Sequence, residues 1–323
     1  MKNKLGLAIS LACFAPAMAM AEISLYGKAN VSLEWVDEGE ASHTALESNA
    51  SRIGLKGSEA INDSVEAIYQ FEYEANIDDN DEDALKQRNI FVGVKGDFGQ
   101  VIGGHFDTPL KMAQNRVDLF NDLRGDIKNF ITPNENRADN SVMYSTPYAS
   151  GFVAHLAYLS SEDEERDDGK SVALTYSLDT LYLALAFDQD VEAENAEALR
   201  AVGHYGMGGL QLGVLFEQYE ADGADKQDAW VASALYTLNS KWAVKAQYGQ
   251  SDIAFNYDEV EVLGETVELY TSDSESMSVG VDYKVSKNFM VYGFYTDISA
   301  DDEEVADDVV DNSYAGIGVD FRF

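Results

Sequence analysis

Residues 22–35 read EISLYGKANVSLEW. One parity carries Ile23, Leu25, Gly27, Ala29, Val31, Leu33 and Trp35. The other carries Ser24, Tyr26, Lys28, Asn30, Ser32 and Glu34. A two-residue period of this kind belongs to a strand with one apolar and one polar face, and no helical period competes with it. The chain ends in the same way. In SYAGIGVDFRF, Ala315, Ile317, Val319, Phe321 and Phe323 oppose Tyr314, Gly316, Gly318, Asp320 and Arg322. Something must cover those apolar faces.

Alternation recurs between these ends. SRIGLKG sets Ile53 and Leu55 against Arg52 and Lys56, and VEAIYQFEYEA sets Val65, Tyr69, Phe71 and Tyr73 against Glu66, Gln70, Glu72 and Glu74. KSVALTYSL, WAVKAQYGQ and SMSVGVDYKV behave alike. Between Arg88 and Lys95, and in FVAHLAYL, both parities are partly apolar and the faces stay open. The joints alternate as well. Short ones such as Gly208-Gly209 and Asn239-Ser240-Lys241 take turns with long acidic ones: DEGEASHTALE, DDNDEDAL, SEDEERDDG, DQDVEAENAE, EADGADKQD, the stretch around NYDEVEVLGE, and SADDEEVADD. That rhythm predicts an all-β, antiparallel, up-and-down transmembrane barrel with unlike ends. About sixteen strands are expected, an even number as in bacterial barrels. They fall near 22–36, 50–60, 65–77, 87–96, 100–105, 139–148, 151–161, 170–179, 181–188, 197–207, 210–220, 228–238, 241–252, 275–285, 289–298 and 312–323. Pro109, Pro133 and Pro147 avoid strand middles, where the missing N–H would break a ladder. Lipid then covers the apolar faces, Phe323 included, and small or charged residues line a wet interior. A soluble sandwich would instead need a shared dry core. Tyr26, Trp35, Tyr73, Trp230, Trp242, Tyr248, Phe289 and Phe321, near strand ends, fit interfacial girdles, although aromatics are also ordinary strand formers.

The bulk numbers agree with a barrel at a membrane. The 323 residues include 58 acidic and 22 basic ones, a formal charge of −36. Residues 1–21 are expected to be a removable signal peptide: a basic start, an apolar run from Leu5 to Ala19, and Ala19-Met20-Ala21 before Glu22. A lipoprotein anchor at Cys13 is the rival, disfavoured by Ser10 where a large aliphatic is wanted. Cleavage would remove Lys2, Lys4 and the single cysteine, making the charge two units more negative and leaving no disulfide. Residues 22–323 then form one barrel domain. Such acidity argues against a nucleic-acid partner. No later segment has the ~18 consecutive apolar residues of a membrane-crossing helix.

One joint breaks the rhythm. About residues 104–139, HFDTPLKMAQNRVDLFNDLRGDIKNFITPNENRAD is far longer than the rest and mixes Asp107, Asp118, Asp122, Asp126 and Glu135 with Lys111, Arg116, Arg124, Lys128 and Arg137. Long ordered loops usually have a function, and in a wide barrel one use is to fold inward and narrow the pore.

Taken together, EISLYGKANVSL, SRIGLKGSE, QRNIFVGVKGDFGQVIGG, ENRADNSVMYSTPYASGF and GVDFRF resemble the general diffusion porins of the Gram-negative outer membrane, over essentially all of residues 22–323. The resemblance implies an inward-folded third extracellular loop carrying carboxylates, facing a basic wall across a constriction. It implies a homotrimer, with the second loop latching a neighbouring barrel. Lys28, Arg52 and Arg88 match the wall cations, and Arg137 joins them. The loop lacks the family's Pro-Glu-Phe-Gly-Gly pattern; Asp118 and Asp122, an i, i+4 pair, are the candidate loop acids, with Asp107 a third. Ordinary solvated loop charge is the plainer reading of all three. Two unit charges about 10 Å apart interact by about 0.4 kcal/mol at water's dielectric and by ~1.7 kcal/mol at an effective value of 20, enough to orient solutes without holding them. Passive, size-limited, cation-preferring passage of small hydrophilic solutes and ions is expected.

An enzyme is disfavoured. His43, His105, His155 and His204 lie in four different segments, and neither G-x-S-x-G nor H-E-x-x-H occurs. DDNDEDAL departs from an EF-hand at Ala84, so no cofactor is expected beyond Ca2+ or Mg2+ bridging acidic outer loops loosely to lipopolysaccharide. A phosphate channel would need more cations. A sugar-specific outer-membrane channel stays open given 18 tyrosines, as does a barrel with a blocked lumen.

Overall fold

The structure is a computed structural model; it describes residues 22–39, 41–78, 85–162, 167–262, 265–271, 273–301 and 308–323. Residues 1–21, read above as a signal peptide, and the acidic run 79–84 in the second outer loop lie outside them. Nineteen strands occur among the described residues: β1 (Glu22–Asp37), β2 (Ser42–Ser48), β3 (Arg52–Asn62), β4 (Val65–Ala75), β5 (Leu85–Gly96), β6 (Gly99–Asp107), β7 (Arg137–Ser145), β8 (Phe152–Leu159), β9 (Gly169–Leu178), β10 (Leu181–Gln189), β11 (Glu197–Met207), β12 (Leu210–Glu220), β13 (Gln227–Thr237), β14 (Trp242–Ser251), β15 (Asn256–Val262), β16 (Glu265–Tyr270), β17 (Asp273–Lys284), β18 (Phe289–Asp301) and β19 (Asp308–Arg322). Each pairs antiparallel with its neighbours, and β19 returns to β1 with Lys28 opposite Arg322 and Asp37 opposite Ser313, so the sheet closes. Both β2 and β3 pair with β1 and together occupy one position in the ring. The barrel is therefore sixteen-stranded, as the alternation predicted.

The break between β2 and β3 has a local cause. Ala50 takes a left-handed φ of 47°, and Ser51 Oγ accepts from the Asn30 amide at 2.9 Å while donating to the Asn30 carbonyl at 3.0 Å. A side chain thus stands in for the missing ladder bonds. Two stretches read as acidic loops are partly strand. Residues 42–48 pair with β1, and β15 and β16 form a separate hairpin. β2 is mostly exposed, with only Ala45, Glu47 and Ser48 partly covered, so burial gives it no clear apolar face.

Burial follows parity. In β1, Lys28, Asn30, Ser32 and Glu34 are buried inside the ring, while Leu25, Leu33 and Trp35 face outward and exposed. In β10, Leu183 and Leu185 point out while Ala184 and Ala186 point in. Exposed Leu212, Val214, Phe216, Met277, Val279, Val281 and Ile317 continue the apolar belt. A continuous belt far exceeds the patches that soluble proteins leave in water, and hydrocarbon is the medium that suits it. Phe323 belongs to this belt. Its backbone exchanges two hydrogen bonds with Gly27, at 3.0 and 3.1 Å, and its ring lies over that residue, where a Cβ would collide with it. At the short-turn end Phe321 stacks beside Phe323 (5.9 Å) and Phe289 (6.2 Å), and Trp242 meets Tyr283 at 4.5 Å. At the long-loop end Trp230 meets Tyr248 at 5.4 Å. These are girdle positions. Tyr26 is not: it turns inward and donates to Glu72 at 2.9 Å.

Candidate functional site: the loop inside the ring

The long joint between β6 and β7 begins as a capped turn. Thr108 accepts from the Lys111 amide at 3.2 Å, with Pro109 at the first position of α1 (Pro109–Ala113). Proline suits that position because its missing N–H would be unpaired there anyway. A second short helix, α2 (Ile127–Phe130), is capped by Asp126, which accepts from the Lys128 amide at 3.1 Å. Leu110, Ala113, Val117, Ile127 and Ile131 are buried against Ala173, Ala184, Ala186, Ala198, Val202, Leu215, Ala229 and Val231, the inward residues of β9–β13. Phe120 and Leu123 pack against Val36, Tyr292, Phe294 and Tyr314. The small inward residues of β9–β13 therefore do not line water, as parity alone suggested; they receive the loop. Gly213 shows how close it comes, since a Cβ there would stand 3.1 Å from the Val117 Cα.

Polar contacts fix the loop around the ring. Gln247 on β14 accepts from the Leu119 amide at 2.7 Å, and Lys245 donates to the Leu119 carbonyl at 3.0 Å while lying over Phe120. Arg124 bridges Glu34 and Glu47 at 2.8 and 2.6 Å, over the Tyr314 ring. Arg200 on β11, fully buried, binds Glu217 at 2.6 Å and Glu135 at 2.5 Å, and also donates to the Leu110 carbonyl at 3.3 Å. Thr132 and Asn134 donate to Glu217 as well. One guanidinium thus ties both arms of the loop to the wall. A single Arg among Ala, Leu and Val in ALRAV was the available sign of this anchor, and charge counting missed it.

The residues matched to the wall and the loop meet directly. Asp122 binds Lys28 at 2.8 Å and Arg52 at 3.1 Å. Asp107 binds Arg137 at 2.9 Å and Lys111 at 3.4 Å, and accepts from Asn89 at 2.9 Å. Arg88 binds Glu72 at 3.0 Å and Glu74 at 2.6 Å. These pairs are in contact, not opposed across a gap. The ambiguous parity at Arg88 is explained by a bulge: Phe71 pairs with Ile90 but Tyr73 with Gln87, so Arg88 and Asn89 together oppose Glu72.

Asp118 stands apart. It is buried within the loop, accepting from the Phe120 amide at 2.9 Å, the Ile127 amide at 3.3 Å and Gln247 at 3.2 Å. Residues 118–122 do not form a helical turn that would align Asp118 with Asp122; Asp122 has a left-handed φ of 68°. Burial, then the neighbouring Asp126 charge, raise the Asp118 carboxyl well above the usual range. For Asp122 burial acts upward too, but Lys28 and Arg52 outweigh it and hold the carboxyl below its ordinary value. Burial pushes Glu135 up to about 7, against the downward pull of Arg200 and Lys111. The folded loop therefore keeps a proton on Glu135 that a detached loop would release. Its arm is held most firmly below the ordinary value of 4.5 and less firmly as pH rises to about 7. Tryptic cleavage after Lys128 in detergent, scaled to a reference peptide, should accelerate between pH 5.5 and 8 and become pH-independent in Glu135→Gln.

Beside the loop lies a cavity of about 460 Å3. Glu74, Asp107, Asp122, Asp126 and Glu135 line it, with Arg88, Lys111, Lys128 and Arg137. A closed sheet with an apolar exterior, a charged interior and a loop against its inner wall narrows the comparison to outer-membrane channels. The family described as "Gram-negative porin" matches residues 8–303. The chain belongs to the Gram-negative porin family. It resides in the outer membrane, like its relatives. The porin is 26% identical over 312 residues to the major outer membrane protein P.IB of Neisseria meningitidis serogroup B, covering 89% of this chain and 90% of that one. P.IB of Neisseria sicca is 29% identical over 180 residues, and there the porin spans half the relative's length. In fold it is similar to the anion-selective porin from Comamonas acidovorans (TM-score 0.78, 19% identity, 94% of this chain and 100% of that chain) and to Salmonella typhi OmpF in complex with daunomycin (TM-score 0.73, 18% identity, 94% and 98%). At such identities the likeness shows the fold; charge selectivity is set by lining residues that a fold does not dictate. Among the described residues, no group of three or more acids or histidines is arranged to hold a metal ion.

Proposed function

We propose that the protein is a passive diffusion channel, not an enzyme, carrying small hydrophilic solutes and ions with a preference for cations. Its constriction is the 460 Å3 passage between the loop and the wall of β4–β7. The observation that carries this reading is the pairing of Asp122 with Lys28 and Arg52, which offsets part of the wall's positive charge where the loop meets it. Asp107 does the same for Arg137, while Glu74 and Asp126 also line the passage. A dipolar solute moving through alternating fixed charges is oriented without being held, whereas an apolar one must displace ordered water. Assembly as a homotrimer and diffuse Ca2+ or Mg2+ bridging of the acidic outer loops to lipopolysaccharide belong to the same reading. In planar bilayers under a salt gradient, the reversal potential should have the sign of cation permeation and shrink toward zero as salt approaches 1 M, where screening falls to about 3 Å. An anion-signed potential at low salt sinks the preference, and conductance that saturates with solute would favour a specific channel.

A further inference from the structure

Among the described residues, most cations near the loop are paired with carboxylates. On the loop, Lys111, Arg124 and Lys128 each form an ion pair, as do Lys28, Arg52, Arg88, Arg137, Arg200 and Lys245 on the wall. Arg116 is exposed and, among the described residues, pairs with no carboxylate. It lines a separate cavity of about 390 Å3 near the short-turn end, where Asp179 lines the same space. Asp179 is exposed, sits at a left-handed φ of 49° in the β9–β10 turn, and likewise has no cationic partner among the described residues. Two opposite charges thus border one cavity without bonding to each other. Tyr182 fixes the loop at its edge by donating to the Ala113 carbonyl at 3.1 Å. His204 contributes a buried Nε2 with no hydrogen-bond partner, and Gln211 an amide.

The chain makes this placement locally. Asn115, just past α1, takes a φ of 51°. Asparagine tolerates that region better than most residues, and a left-handed residue after a helix turns the chain off its axis. Asn115 also lines both cavities, so the pocket adjoins the charged passage there.

We propose that this pocket docks small zwitterions of the α-amino acid type, with the carboxylate on Arg116 and the ammonium on Asp179, as they leave the charged passage past Asn115. The proposal rests on the reading of the barrel as an open channel. The planar guanidinium accommodates a carboxylate bidentately, and the free imidazole and amide offer further hydrogen bonds. The volume falls in the range of small-ligand sites. A lone anion would meet Asp179 unpaired and a lone cation would meet Arg116 unpaired, so a zwitterion should exceed both.

Saturation-transfer NMR on the detergent-solubilised protein tests this with L-valine, isovalerate and isobutylamine as matched probes. Valine should bind at millimolar concentration and each single-charge analogue roughly tenfold more weakly; Arg116→Gln and Asp179→Asn should each weaken valine roughly tenfold. Valine binding no tighter than the analogues, or unchanged in both variants, would overturn the site. Planar-bilayer conductance is read separately. Channels that open in a protein that ignores valine refute the pocket alone, whereas valine bound by a protein that opens no channel refutes the transport reading that the proposal needs.

Discussion

Asp122→Asn is expected to lower the ratio of cation to anion permeability by roughly tenfold, and to do so without collapse of the loop. The reasoning starts from its two ion pairs, with Lys28 at 2.8 Å and Arg52 at 3.1 Å. Removing the charge leaves both cations unopposed beside the passage. One unit charge acting over about 10 Å at an effective dielectric of 20 is worth about 1.7 kcal/mol, a little more than the 1.4 kcal/mol of a tenfold change. The asparagine is isosteric, and the Asp122 amide keeps its bond to Asp126 at 2.8 Å. Reversal potentials in a salt gradient measure the change, which should fade at high salt. Asp118→Asn is the matched control. That carboxyl is inside the loop and already biased toward its neutral form by burial, so the reversal potential should stay where it is. A shift with Asp118 and none with Asp122 would invert the assignment.

The second large effect belongs to Arg200. Replacing it with methionine strands Glu217 and Glu135, each almost wholly buried, without their shared cation. Breaking a buried pair from one side costs about 3–5 kcal/mol. The cost is concentrated on the loop, because Glu135, Thr132 and the Leu110 carbonyl all lie on it. The barrel should still form, but the loop should leave the wall. Expected signs are tryptic cleavage at loop sites in detergent at least tenfold faster and a larger, noisier single-channel conductance. Arg200→Lys should recover little, since an ammonium cannot serve two carboxylates and a carbonyl with fixed fork geometry. Adding Glu217→Gln and Glu135→Gln to the methionine variant removes the stranded charges and should restore most of the protection. Protease resistance equal to the unaltered protein in the single variant would show that the anchor is dispensable.

Strand positions were legible because the bilayer imposes a strict rule: lipid on one side forces every second residue to be apolar. Residues 197–207 and 210–220 fall where the alternation put them. Legibility failed where that rule does not act. The mostly exposed β2 carries no such forced face, and β15–β16 stand outside the ring as a hairpin of their own. At Arg88 and Asn89 a bulge shifts the parity by one residue, a displacement that no linear count reveals. Of the expected wall, inward parity and family resemblance pointed to Lys28 and Arg52, and both meet Asp122 in space. The i, i+4 spacing of Asp118 and Asp122 does not give a shared helical face, because the backbone turns left-handed at Asp122, and Asp118 lies buried within the loop. Arg200 went unnoticed because its partners are 17 and 65 residues away in the chain.

The alanines on the inner faces of β9–β13 have a consequence for how such a protein can change. The loop rests on them as on thin shims, and its distance from the opposite wall is set by their thickness. Exchanging Ala184, Ala186 or Ala198 for a bulkier residue would drive the loop toward the centre and shrink the bore. Trimming Val202 or Leu215 would let it settle back. None of these side chains meets a permeating molecule, and none meets lipid. The calibre of the conduit can therefore drift under selection while every charged group and every outward residue stays the same.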